Sequence, residues 1–323
     1  MENKERVILG RAREDVLNMM DRRHFLLSAA CGAGALGAPW TARAANAEIV
    51  LTPVDPGSAL ITGAGGNIFA TRAGEGVVLV DTGSADAIEE VLARIDAHFG
   101  GAPVLAAFNT HWHYDHTGGN AAVRARGAKI YAHENTRLWL SGDFESPWQD
   151  RHYRPQPEAA LPTDTFYTDG SVRIGDREIH YGHLKQAHTD GDVYVHFRDA
   201  EILAAGGLVT SGYYPILDYA TGGWIGAMEN ASEALLQVAG ENTRIVPEKG
   251  PLVGRDHLEA QHQMLDTVKE RLFELVRLGR GAEEMLAAGV TAEFDAEWGD
   301  PTLFVTNAYP GMWAHSYEVG GVV

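Results

Sequence analysis

The sequence predicts an α/β fold in which sheets are layered against helices, and three observations carry that expectation. From about residue 48 onward, short apolar strands alternate with glycine turns. Twice a wholly apolar strand, "GVVLV" and then "PVLAAF", runs into a polar turn and on into a segment with helical apolar spacing, the alternation expected of a layered sheet. A chain of 323 residues with 45% hydrophobic content is long enough to bury one large core.

Taken in order, strands are expected at Ala47 to Leu51, Ala59 to Thr62, Asn67 to Arg72 and Gly76 to Asp81, the last leaving Asp81 at its C-terminal end. A helix follows from about Ser84 to Phe99, a second buried strand ends at Phe108, and another helix starts near Asn120 beyond a histidine-rich loop. "AKIYAHENT" adds a strand and a turn. Residues 141 to 165 are polar, aromatic and proline-rich without any period, and they read as a long loop of the kind that is usually functional or mobile. Further strands centre on Val172, Ile179, Val193 and Ile202, followed by a helix from about Gly223 to Ala239 and the strand Thr243 to Pro247. A long amphipathic helix over roughly Arg255 to Leu278 and a shorter one near Ala282 to Ala288 close the chain. No internal repeat stands out in the fine pattern, although two strand-rich halves packed sheet to sheet fit it.

Residues 1–47 stand apart from this domain, which is expected over 48–323. Asp21-Arg22-Arg23-His24-Phe25-Leu26-Leu27 opens an apolar, small-residue run to Ala38, and Ala45-Asn46-Ala47 supplies a cleavage site; together they read as a twin-arginine export signal. The run is too short and too rich in Gly and Ala to serve as a permanent anchor. Charged residues precede it, and Met20 is a second candidate start. A periplasmic or secreted protein is expected. The net charge of −18, about −20 once residues 1–47 are removed, argues against nucleic acid or an anionic membrane as partner. The single cysteine, Cys31, leaves with the signal, and Ser28 stands where a lipid-attachment motif wants an aliphatic residue. Any metal in the mature protein must then be held by His and carboxylates.

"NTHWHYDHTGGN", residues 109–120, concentrates such ligands. Alternate residues of an extended stretch point the same way, so His111 and His113 can share one metal, while Asp115 and His116 turn toward a neighbouring position. Such a pattern can serve two adjacent cations.

"THWHYDHTGGN", with "VVLVDTGS" upstream and "AHTDGDVYVHF" downstream, resembles the metallo-β-lactamase superfamily over about residues 50 to 275. That resemblance implies a four-layer αββα sandwich, with the helices from about 255 as an addition. It also implies that Asp81 braces the histidine loop and that His188 is the third histidine of the first metal. Two family positions depart. An aspartate that bridges both metals is usual after the strand near Leu203, where "LAAGGLVTSGYYP" offers Gly207; a histidine is usual in the late "PGHGP", where "VPEKGP" offers Lys249. Both departures strike the second site.

Three neutral imidazoles and a water are enough for Zn²⁺, and a cation so held makes water acidic near neutral pH. Asp115 and His116 alone are too few for a second ion, so one metal is expected, with two as the alternative. Lys249 has two readings: an ammonium paired with Asp115 where the second cation would lie, or a solvent-facing loop lysine. Glu248 is a rival ligand if the turn is shifted by one residue. On this reading Asp115 is the general base and Lys249 stabilises the oxyanion or leaving group.

Tyr213 and Tyr214, just past Gly207, are candidate pocket residues. Trp112 and Tyr114 alternate with the histidines and face away from the metal; His133 is expected to be structural. Trp139, Phe144, Trp148 and Tyr153 offer an apolar lid over a substrate with a hydrophobic part. The leading function is an exported, zinc-dependent hydrolase of a small-molecule ester, lactone, thioester or amide. Two other classes fit parts of the pattern: a noncatalytic descendant of the fold, and a mononuclear iron oxidoreductase, which the loss of an aspartate at Gly207 disfavours.

Overall fold

A computed structural model describes residues 48–315 and Tyr317; the export signal expected in residues 1–47 lies outside the described residues. Two sheets form the centre. The first has seven strands in the order β1 (Val50–Asp55), β2 (Ser58–Thr62), β3 (Ile68–Ala73), β4 (Gly76–Val80), β5 (Val104–Phe108), β6 (Lys129–His133) and β9 (Asp164–Phe166). The second has five: β10 (Gly170–Ile174), β11 (Arg177–His183), β12 (Val193–Phe197), β13 (Ile202–Gly206) and β14 (Arg244–Pro247). Both follow one plan. An antiparallel meander ends in a strand that crosses through a helix to a parallel neighbour: β4 through α1 (Ile88–Phe99) to β5, and β13 through α5 (Ile225–Val238) to β14.

The layering follows from which faces are apolar. Between the sheets, Leu60, Phe69, Val78, Val80 and Phe108 meet Ile179, Val195, Phe197 and Ala204, with the rings of Phe69 and Phe197 5.4 Å apart. Each such side chain fully withdrawn from water contributes about 1.5–3 kcal/mol. The outer face of the first sheet packs on α1 through Val91, Leu92, Ile95 and Phe99, a helical stripe. The outer face of the second packs on α5 and on α6 (Arg255–Arg277), whose buried Leu258, Gln261, Leu265, Val268, Leu272 and Val276 repeat at three- and four-residue steps. The result is the four-layer αββα sandwich. Among the described residues no helix is long and apolar enough to cross a membrane.

Three elements differ from expectation. Residues 141–165 are not a plain loop: β7 (Phe144–Ser146) and β8 (Arg151–Tyr153) make a small hairpin, whose Phe144 and Tyr153 pack on Trp112. The histidine loop ends in a single helical turn, α2 (Tyr114–Thr117), before α3 (Asn120–Ala125). Beyond α7 (Ala282–Ala287) the chain adds α8 (Asp295–Trp298) and the 13-residue α9 (Thr302–Ala314). The helix α9 has no polar stripe to betray it and carries Pro310 in its interior, so its sequence lacks a helical period.

Candidate metal centre

The site gathers where both sheets present the C-terminal ends of their parallel pairs. Asp81 follows β4, the histidine segment follows β5, Gly207 follows β13, and Glu248 and Lys249 follow β14. Chain reversals at such ends leave polar groups converging on a crevice. Two clusters of possible ligands form there. His111, His113 and His188 bring one donor atom each within 4.8 Å of the others, and so do Asp115, His116 and Glu248.

Hydrogen bonds assign the imidazole tautomers. Asp81 accepts from the Thr110 backbone N–H at 2.8 Å, from Thr110 Oγ1 at 2.8 Å and from His116 Nδ1 at 2.7 Å. The Thr110 hydroxyl proton is thereby committed, so at 3.0 Å its oxygen accepts from His111 Nδ1. His113 donates Nε2–H to Asp218 Oδ2 at 3.0 Å, and His188 donates Nδ1–H to the Ile216 carbonyl at 2.7 Å. His111, His113 and His188 therefore each turn an unprotonated nitrogen inward. His113 Nδ1 and His188 Nε2 face each other at 3.0 Å, lone pair against lone pair. His111 Nε2 and His116 Nε2 are buried with no hydrogen-bond partner among the described residues. Buried acceptors so opposed suit a bound cation, and the set fits a three-imidazole metal site whose rings are oriented by outer hydrogen bonds.

Electrostatics separates the two clusters. Burial, reinforced by the neighbouring imidazoles, pushes the pKa of His111 well below the usual histidine value, which keeps it neutral and able to ligate. For His116 burial works the other way from Asp81, and Asp81 prevails, raising it to about 9. Lys249 Nζ lies 3.1 Å from Asp115 Oδ2 and 3.9 Å from Glu248 Oε1. Despite desolvation, His116 and Lys249 hold Asp115 far below the usual carboxylate range; burial likewise pushes Glu248 up, and Lys249 outweighs it, holding Glu248 below its usual value. Glu248 is buried, and its Oε2 accepts from Tyr213 at 3.1 Å.

Several expectations need correction. Asp115 and His116 are not alone, because the turn after β14 buries Glu248 beside them as a third donor while Lys249 reaches Asp115. Tyr214 is not a pocket residue: it is buried against Phe304 and Trp298, and its hydroxyl donates to Asp295 at 2.8 Å. Tyr213 does reach the site, through Glu248. Gly207 does more than omit a carboxylate, since a Cβ there would sit 2.3 Å from His188 Cδ2. Of the four aromatic residues expected as a lid, Trp139, Phe144 and Tyr153 join Trp112 and Leu140 in a small core of their own, and Trp148 alone turns to the site. His133 ends β6 and caps α4 (Glu134–Ser141) by accepting from the Asn135 N–H.

Sequence reasoning missed Asp218. It lies in "ILDYA" with no local signature, and only the folded chain brings it under His113. Beside Asp115 a cavity of about 390 Å³ opens between Ser84, Asp86, Tyr114, Leu140 and Arg151.

The family model of the metallo-beta-lactamase superfamily matches residues 61–276. Acyl-coenzyme A thioesterase MBLAC2 from Homo sapiens is 32% identical over 171 residues, 45% of this chain and 59% of that protein. Metallo-beta-lactamase IND-1 from Chryseobacterium indologenes is 27% identical over 164 residues, 51% of this chain and 63% of that one. The chain thus spans less than two thirds of the length of these curated relatives. Among solved structures, a metallo-beta-lactamase from Pontibacter korlensis covers 68% of this chain and 99% of its own at TM-score 0.57 and 23% identity. A variant of the sec-alkyl sulfatase PisA1 covers 84% of this chain and 50% of its own, at TM-score 0.66 and 16% identity. At these identities the structural likeness speaks for the fold.

Proposed function

Because the chain belongs to the metallo-β-lactamase superfamily, we propose that it is a metal-dependent hydrolase of small-molecule carbonyl compounds, with one Zn²⁺ held by His111, His113 and His188. The observation that carries this reading is the 3.0 Å approach of His113 Nδ1 to His188 Nε2 when the other nitrogen of each ring is already donating. Three neutral imidazoles suit zinc better than iron or magnesium. A divalent cation there supplies Lewis acidity to a carbonyl and makes water acidic near pH 7.

The chain's own groups do the rest. Asp115, a third exposed at the cavity mouth, accepts a hydrogen bond from the attacking water and orients it. Its strongly lowered pKa makes it a better acceptor than proton carrier. Lys249 gives Asp115 and Glu248 the positive charge a second ion would otherwise provide, and its ammonium is available to a developing oxyanion. Tyr213, whose hydroxyl is kept protonated by burial and by Glu248, fixes Glu248 in place.

Thioesters are the first substrates to test, because the relative at 32% identity is an acyl-coenzyme A thioesterase; esters, lactones and β-lactams follow. The cavity beside Asp115, with Leu140 and Tyr114 in its wall, suits a substrate with an apolar part. The twin-arginine pair Arg22-Arg23 directs the protein across the cytoplasmic membrane, and replacing both by Lys should retain it in the cytoplasm on fractionation. For activity, a thioester panel should show turnover with Zn²⁺ that a chelator abolishes. No turnover of any acyl substrate by protein carrying stoichiometric zinc contradicts the proposal.

A further inference from the structure

We propose that Trp148 is a positioning residue for the metal centre: it holds Asp218, and through it His113, so that seating of the β7–β8 hairpin and binding of the cation favour one another. The inference rests on the three-histidine reading.

Asp218 is wholly buried and its two oxygens divide their duties. Oδ2 accepts from His113 Nε2 at 3.0 Å and from Thr221 Oγ1 at 2.7 Å; Oδ1 accepts from Trp148 Nε1 at 2.7 Å. The Thr221 oxygen in turn accepts from Trp112 Nε1 at 3.1 Å. His113, Trp112 and Thr221 belong to the body of the sandwich, whereas Trp148 is carried by the turn Pro147–Gln149 between β7 and β8. It is the hairpin's one donor to this carboxylate among the described residues. Lifting the hairpin would strip Oδ1 of its partner inside the protein, leaving a buried acceptor unsatisfied, and would free the carboxylate to turn. A carboxylate that turns no longer fixes His113 with Nδ1 toward the ion, and outer partners of this kind set metal affinity by 10- to 100-fold. Linkage makes the effect mutual: whatever the hairpin does for the ion, the ion does for the hairpin.

A matched control lies nearby. Trp139 donates Nε1–H to Asp190 Oδ1 at 2.7 Å, the same kind of bond, but Asp190 bonds no metal histidine.

The test is Zn²⁺ affinity, by competition with a chromophoric chelator, for the full chain and for Trp148→Phe, Trp139→Phe, Asp218→Asn and the double variant Trp148→Phe/Asp218→Asn. Trp148→Phe should weaken binding about tenfold, and its Co²⁺ form should show an altered ligand-field spectrum. Trp139→Phe should bind normally, and the double variant should bind no worse than Asp218→Asn alone. Unchanged affinity in Trp148→Phe, or equal loss in Trp139→Phe, overturns the proposal. Hydrogen exchange on the unaltered protein needs no variant to fold: Zn²⁺ should slow amide exchange across residues 144–153, and equal rates with and without the ion overturn it. If the unaltered protein binds no metal, the three-histidine reading itself has failed; normal binding with an inert Trp148 defeats only this inference.

Discussion

At the scale of single residues, crowding at Gly207 and charge at Lys249 set what the second cluster can hold. Restoring the family's carboxylate by Gly207→Asp should fail, because the new Cβ would meet His188 Cδ2 at 2.3 Å; we expect His188 to be displaced and zinc content to fall toward zero, and a variant that instead gains a second ion would refute the crowding. Lys249→Met should act in the opposite sense. With the ammonium gone, only the His116 imidazolium offsets Asp115 and Glu248, and zinc per chain should rise from one to two on titration as a second ion displaces its proton. His111 and His113 were legible because the His-x-His-x-Asp-His pattern is a local statement about direction along an extended chain, whereas His188 was legible only through the family resemblance of its segment. Glu248 and Lys249 were legible only as alternatives, since which of two adjacent residues enters a crevice depends on the turn that follows β14. Asp218 was illegible, and Trp148 was legible only as a lid aromatic and not as its partner: 70 residues separate them, and neither stands in a pattern that joins them.

At the scale of elements, strand ends position the chemistry and helices hold the strand ends. The segment after β13 is clamped by α6, where buried Gln261 accepts from the Thr210 N–H at 3.0 Å and donates to the Leu208 carbonyl at 2.8 Å. Replacing it by Leu keeps the volume and leaves both backbone groups unpaired, so denaturant unfolding should show a loss of about 1–3 kcal/mol; a change within a few tenths would show that the clamp is idle. Strands with buried, glycine-bounded runs were readable in the sequence nearly to their ends. The hairpin inside residues 141–165 was not, because three-residue strands fall below any usable period. Nor was α9, whose apolar residues surround the helix on every side.

At the scale of the molecule, two sheets of one plan place their strand ends opposite each other, and the crevice between them is the site. The same burial that shields the site affects acid stability. Burial, with lesser repulsion from neighbours, pushes both His133 and His196 down to about 4; for His196 those neighbours are Arg198 and His180. Each binds fewer protons folded than unfolded between that value and the usual 6.5. Stability therefore falls as pH drops through this window, and the contribution is absent above it. In chelator, His196→Gln should lose less stability between pH 7 and 5 than the unaltered chain; an equal loss would exclude His196 as a source. The claim on which the rest depends is that three imidazoles converge on one cation, and zinc titration of the metal-stripped protein tests it most directly. The account predicts one equivalent bound per chain and none in His188→Ala, whereas no binding by the unaltered protein, or the same binding by His188→Ala, would contradict it.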